Sequence, residues 1–267
     1  MNAQNVETKN NKINILLEDE LIELAEDENT AVNILKKLAN DKNALVRKSV
    51  ASNPNTPVKI LKKLANDENE LVKSFVALNK KTPVKTLEYL ADDKRKHVRE
   101  CVASNPNTPI ETLKKLANDE NEMARVYIAL NPNTPIETLK HLANDKNEST
   151  KRNVASNPNT PVDLLEHLAV DEGEIVKVNV ATNKNTPPKT LKNLSTDKSA
   201  YIRKVIAENL NTPIEALKIL AIDDCNAVRK CTAENLNTPI ETLKRLANDK
   251  DKDISKSALF ILSVHED

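Results

Sequence analysis

Apolar side chains fall into short bursts along this chain, separated by polar turns, and the bursts return with a fixed period. Between Asn105 and Leu130, the residues Ile110, Leu113, Leu116 and Ala117 sit at i, i+3, i+6 and i+7, which reads as one apolar helix face. Asn118-Asp119-Glu120-Asn121 then breaks the pattern as a turn. Val126, Ile128 and Ala129 mark the buried side of a second short helix, and Asn131-Pro132-Asn133 turns the chain back. A proline preceded by threonine returns every 26 positions, at Pro57, Pro83, Pro109, Pro135, Pro161, Pro187, Pro213 and Pro239. Self-similarity at a period of this size is the mark of stacked repeats.

Each repeat therefore predicts two helices of about eight or nine residues, too short to be stable alone because nucleation is costly. Neighbouring repeats must hold them, with the leucine columns that run from Leu61 to Leu243 and from Leu64 to Leu246 as the continuous core. At the start of the first helix, Thr108 is the expected N-cap, Pro109 the first helical residue and Glu111 the partner in a capping box. The same box is expected at Thr134/Glu137, Thr212/Glu215 and Thr238/Glu241, and all 13 prolines are expected in the turns between repeats. One further unit matches in register from Ala31, with alanine in place of proline, which makes nine units.

The expected organisation is a disordered tail over 1–12, an N-terminal capping helix over 13–29, a single repeat array over 30–257, and a C-terminal cap and tail over 258–267. The N-terminus lacks the apolar core of a signal peptide, and no apolar run approaches the roughly 20 residues of a membrane span. A soluble, cytoplasmic protein without membrane contact is expected, and a monomer.

Composition removes several function classes. Gly173 is the single glycine, so no phosphate-cradling loop, dinucleotide fingerprint or nucleophile elbow can be built. Three cysteines, Cys101, Cys225 and Cys231, show no CxxC spacing and are read as free thiols. His141 and His167 occupy equivalent places in adjacent units and are read as solvent-facing. No constellation of carboxylate, histidine and serine suggests catalysis, and no cofactor or metal site is expected.

The recurring Asn-Pro-Asn-Thr-Pro-x-x-x-Leu-x-x-Leu-Ala-x-Asp, followed by Val-Arg-x-x-Val-Ala, resembles the leucine-rich repeat variant family over about residues 30–262. The resemblance implies a HEAT-like α-solenoid: a right-handed superhelix of paired helices, one of each pair with 3₁₀ character. One member type of that family carries an N-terminal iron–sulfur cluster on cysteines. No cysteine precedes Cys101 here, so that feature is not implied. The family supplies no biochemical function beyond binding.

Three column sets are candidates for more than architecture. An aspartate column (Asp41, Asp67, Asp93, Asp119, Asp145, Asp171, Asp197, Asp223, Asp249) is followed six residues later by a basic column from Arg47 to Arg229. Its functional reading is a stripe that tracks a polyanion, and its plainer reading is an exposed ion-pair and capping ladder between repeats. The asparagine column, Asn53 through Asn235, reads as a structural hydrogen-bond ladder in the turns. The third set varies from repeat to repeat while the core does not. On the second helix, positions i, i+4 and i+7 read Leu71/Phe75/Leu78 in one unit and Met123/Tyr127/Leu130 in another, with Tyr201 in a third. An apolar stripe of this kind suggests a partner surface. The alternative is that these side chains are partly buried between second helices and vary to fit curvature.

The sequence thus predicts an all-α, right-handed α-solenoid of about nine two-helix repeats. Its expected function is non-catalytic protein or peptide binding through Leu71, Phe75, Leu78, Met123, Tyr127, Leu130 and Tyr201. Nucleic-acid binding is the second reading. It is disfavoured by Lys plus Arg equalling Asp plus Glu at 40 each, by the paired basic columns and by the absence of tryptophan.

Overall fold

The computed structural model describes residues 17–170 and 173–265. The expected tail over 1–12, the start of the expected capping helix at 13–16, Asp171 and the last two residues lie outside the described residues. Nineteen helices and no strand occur among the described residues. The first helices of the pairs are the even-numbered ones: α2 Val32–Leu38, α4 Val58–Leu64, α6 Val84–Leu90, α8 Ile110–Leu116, α10 Ile136–Leu142, α12 Val162–Leu168, α14 Pro188–Leu194, α16 Ile214–Leu220 and α18 Ile240–Leu246. The second helices are odd-numbered: α3 Ala44–Ser52, α5 Glu70–Leu78, α7 Lys96–Ser104, α9 Glu122–Leu130, α11 Glu148–Ser156, α13 Glu174–Thr182, α15 Ala200–Glu208, α17 Asn226–Glu234 and α19 Lys252–Val264. A further helix, α1 Glu18–Glu26, precedes them. The fold is the all-α solenoid type, with nine pairs as the period requires.

The chain forms two compact units, divided between Thr138 and Leu139. In the first, the second helices stack in order, α1 on α3, α3 on α5, α5 on α7 and α7 on α9. In the second, α11, α13, α15, α17 and α19 stack in the same way, and α18 also packs on α19. Leu61, Leu87 and Leu113 of the first unit are fully buried, as are Leu165, Leu191, Leu217 and Leu243 of the second. Each buried leucine stabilises its stack by roughly 1.5–3 kcal/mol.

Helix starts differ from the sequence expectation. Pro57, Pro109, Pro213 and Pro239 are the residues before the first helical turn, and no side chain caps that turn. The Thr-x-x-Glu boxes at Thr108/Glu111, Thr212/Glu215 and Thr238/Glu241 do not form. The threonine hydroxyl instead donates backwards to the preceding second helix: Thr108 to the Val102 carbonyl at 2.5 Å, Thr212 to Ile206 and Thr238 to Thr232 at 2.6 Å. Those carbonyls lie in a last turn, where each also accepts the N–H of the asparagine three residues on, at 3.1–3.3 Å. The threonine therefore closes the end of one helix rather than opening the next, and proline, which has no N–H, occupies the junction at no cost. Pro188 is the one proline inside a helix span, at its first position, where that missing N–H is harmless.

Second helices are capped by a different residue. Asn43, Asn69, Asn121 and Asn147 accept from the N–H two residues on, at 2.8–3.3 Å. Bonds from an N–H to the carbonyl three residues back occur in first turns, as from Ile60 to Pro57 at 2.8 Å and Ala124 to Asn121 at 3.1 Å. The 3₁₀ character is a property of those turns, and both helices of each pair are otherwise α-helical.

The asparagine column forms the deepest polar feature. Asn79 Nδ2 donates to the Ala51 carbonyl at 2.8 Å and to Asn53 at 3.0 Å, and its Oδ1 accepts from the Lys81 N–H at 2.9 Å. Asn105, Asn131, Asn183 and Asn235 repeat this arrangement, each reaching back one repeat. Asn53 does the same to Ala25 and Asp27, and Thr30 donates to the Leu24 carbonyl. Helix α1 therefore occupies the place of a second helix, in phase with the array.

Replacing Asn79 with alanine removes three bonds, leaves the buried Ala51 carbonyl without its donor and leaves the Asn53 carbonyl only the Thr56 N–H. We expect a loss of about 2–4 kcal/mol by urea denaturation. Asn107→Ala, whose exposed Nδ2 makes one bond at 2.6 Å to the Lys80 carbonyl, should cost less than about 1 kcal/mol. Equal losses at the two sites would refute the buried ladder as the stronger constraint.

Candidate functional site

The aspartate and basic columns are consumed by architecture. Arg99 donates from Nε to Asp119 Oδ2 at 2.6 Å and from Nη2 to Oδ1 at 2.9 Å, while its Nη1 reaches the Asp93 carbonyl at 3.0 Å. Arg47 and Asp67, Arg203 and Asp223, and Arg229 and Asp249 repeat this two-pronged pairing across repeats. Lys73 and Lys177 bind Asp93 and Asp197 through single contacts of 2.7 and 2.9 Å. Each aspartate also orders its turn: Asp119 Oδ1 accepts from the Asn121 N–H at 2.9 Å. These pairs are not the exposed ones the sequence suggested, since the Arg99 and Asp119 side chains retain 12% and 7% of their surface. They belong with partly desolvated bidentate pairs, where loss of one partner strands the other. Burial pushes the Asp67 and Asp119 carboxyls up, but the arginine and the turn N–H pull them further down, so both end below the ordinary carboxylate range.

The second-helix stripe is a separate surface. On α5, Leu71 and Leu78 are exposed, at 45% and 43%, and Phe75 between them is half-buried. On α9, Met123 and Leu130 are exposed, at 43% and 53%, with Tyr127 half-buried. Positions i and i+7 thus face solvent while i+4 wedges against the neighbouring second helix. Partial burial between second helices thus applies to Phe75 and Tyr127, and exposure to the positions on either side. Tyr201 is exposed on α15, in the other unit.

Polar seams flank the apolar rows of the first unit. Lys48 Nζ lies 4.6 Å from the centre of the Phe75 ring and 3.5 Å from Glu26, whose carboxylate also accepts from Ser49 at 2.9 Å. On α7, between α5 and α9, His97 pairs with Glu100 at 3.0 Å, and Glu100 accepts from Asn121 at 2.6 Å. The face therefore alternates: apolar α5, a compact polar row on α7, apolar α9.

Other candidates stay apart. His141 and His167 are exposed, and no group of three or more metal-ligating side chains occurs among the described residues. Cys101 and Cys231 are buried in the stripe's central position, and burial pushes their thiols up to about 11 and about 12. Ile110, expected on the buried face, is 53% exposed. The buried arc of the first helix is centred on Leu113, Leu116 and Thr112, and Ile110 lies outside it. Val58, Val84, Ile136, Val162, Ile214 and Ile240 follow suit, a column signalled in the sequence by the β-branched residue that follows every Thr-Pro but the one before Pro188.

A family model described as leucine rich repeat variant matches residues 97–121. A solved structure of a leucine-rich repeat variant with a novel repetitive structural motif shares 22% identity at a TM-score of 0.66, covering 84% of this chain and 88% of that one. The resemblance read from the sequence is thus borne out, and the likeness to that structure is one of fold. A condensin subcomplex of S. pombe matches at a TM-score of 0.40 and 13% identity, covering 92% of this chain and 37% of that one. A computationally designed armadillo repeat protein for modular peptide recognition matches at 0.20 and 17%, covering 91% and 98%. No curated protein matches the chain in sequence.

Two outcomes are expected from this geometry. The ladder carboxylates have folded pKa values below their unfolded ones, so their stabilisation is complete above about pH 5 and is lost as pH falls through the lowered values. Asp119→Asn should cost about 1–3 kcal/mol at pH 7 and flatten the acid limb of a stability–pH curve; an unchanged limb would contradict the assignment. With a thiol reagent at pH 8 and mass-spectrometric counting, Cys225 should label first in the folded protein. Cys101 and Cys231 should label only on unfolding.

Proposed function

We propose that this chain is a non-catalytic scaffold that binds a protein or peptide along the second-helix face of its first unit. Leu71, Phe75, Leu78, Met123, Tyr127 and Leu130 supply the contacts, and Tyr201 is a separate exposed aromatic contact on the second unit. The observation that carries the reading is the exposure of four large apolar side chains on α5 and α9 in columns that neighbouring repeats fill with Ser52, His97 and Ser104. Core leucines do not vary in this way, because changing their volume costs stability. Exposed apolar side chains on a regular surface are the ordinary means by which a repeat array takes a partner.

Phe75 and Tyr127 are the natural anchors. Each is a ring held half-buried against its neighbours, so little conformational freedom remains to be lost on binding. Non-catalytic action follows from the same surface, where the titratable groups Lys48, Glu26, His97 and Glu100 are paired among themselves. The reading places the protein in the cytoplasm as a monomer; no described helix is long and apolar enough to cross a membrane.

A displayed peptide library selected on the full chain should enrich sequences with large apolar anchors. Phe75→Ala and Tyr127→Ala should each weaken the selected peptides about tenfold, equivalent to about 1.4 kcal/mol, with the helical circular-dichroism spectrum retained at the binding temperature. Peptides that bind both variants as well as the parent, or a selection that enriches nothing, would remove this reading.

A further inference from the structure

The overall charge of zero hides a strong local asymmetry. In α8 and α18 the residue after the first helical position is glutamate, and it holds the lysine three residues on: Glu111 with Lys114 at 2.8 Å and Glu241 with Lys244 at 2.9 Å. The equivalent residues in α2, α4 and α6 are Asn33, Lys59 and Lys85. Helices α2 and α4 carry five lysines and no carboxylate. One of the five, Lys63, is used structurally, donating to the Ala39 carbonyl at 2.9 Å and to Asn40 Oδ1. Lys36, Lys37, Lys59, Lys62, Lys80 and Lys85 are exposed and make no ion pair among the described residues. Arg47, Lys73, Arg99, Lys177, Arg203 and Arg229 of the ladder are held by aspartates, but these six cations are not.

From this we infer that the first-helix face of the first unit is a docking surface for the phosphate backbone of a duplex nucleic acid, bound without base readout. The arrangement supports that occupant over others. Lys36 and Lys62 share one repeat position, as do Lys59 and Lys85, so cations recur from repeat to repeat on this face, with Glu88 taking the Lys36/Lys62 position in α6. Columns of flexible point charges suit a linear, densely charged polyanion, in which a duplex presents one charge per roughly 1.7 Å of axis. Tyr89 is the one exposed aromatic on α2, α4 and α6, and Lys73 Nζ lies 5.7 Å from its ring centre, so there is no row of rings on which successive unpaired bases could stack. The apolar residues beside the lysines, Val32, Val58 and Val84, are short and β-branched, which suits poorly the penetration of an acyl layer. This surface lies on the first helices and is independent of the peptide face proposed on the second helices.

The test is fluorescence anisotropy of a labelled 20-bp DNA duplex, about that length, titrated with the full chain between roughly 50 and 200 mM salt. Binding in the micromolar range is expected, with a slope of log K against log salt of about −3.5 to −5.5, as four to six neutralised phosphates require. The triple variant Lys36→Glu, Lys59→Glu, Lys62→Glu should weaken binding at least tenfold at the lower salt, while its circular dichroism and thermal midpoint stay close to the parent's. Lys218→Glu with Lys244→Glu, on α16 and α18 of the second unit, should leave binding unchanged. The inference is overturned if no salt-dependent binding is seen below about 100 μM, or if the triple variant binds like the parent. It is also overturned if phosphatidylserine vesicles or poly-glutamate are bound and the duplex is not.

Discussion

The buried carboxamide of each Asn-Pro-Asn turn is the contact on which the array depends. Its amide has two hydrogens, and both are used on backbone carbonyls of the preceding repeat; its oxygen accepts from the turn that follows. Asn79 thereby joins the end of α3, the turn after it and its own turn in one node, 7% exposed. An unpaired amide at such a place would cost more than the bonds gain, so the node forms completely or not at all. Neither aspartate nor serine could donate twice. A chain that stacks through this node must return to asparagine at a constant interval, and the other columns inherit that interval. The hydroxyl of each threonine completes the same helix end, satisfying one more last-turn carbonyl.

The second regular contact, between aspartate and arginine, is a consequence of this phasing. Once repeats are in register, a guanidinium on one second helix lies beside the carboxylate that orders the next turn. The pair is planar, bidentate and mostly withdrawn from water, which is why it holds its carboxylates ionised and leaves its cations unavailable to a partner. Other columns are used by neither ladder. Two such sets stand out in the first unit, the apolar rows of α5 and α9 and the unopposed lysines of α2, α4 and α6. They lie on different helices and involve different physics, one apolar burial and the other counterion release.

Much of this was legible in the amino-acid order. The 26-residue period, two short helices per unit, the leucine columns and the ladder role of asparagine all follow from local rules applied to a repeating pattern. The departures are instructive because each concerns a residue with two plausible partners. Thr108 could cap the helix ahead or close the helix behind, and local preference favoured the first. Only the folded chain brings the Val102 carbonyl within 2.5 Å of its hydroxyl. Ile110 fits an i, i+3 apolar series as well as Leu113 does, yet one is fully buried and the other half exposed.

What the sequence determined by itself was periodicity, because helix turns, caps and repeat length are set by residues within one unit. Exposure was decided only by tertiary structure. Whether Leu71 or Phe75 faces water depends on how closely α3 and α7 approach α5, and no property of α5 alone contains that distance. The same holds for charge: Lys62 and Lys114 occupy equivalent positions, and what separates a free cation from a paired one is the side chain three residues before it and the neighbours the stack brings near.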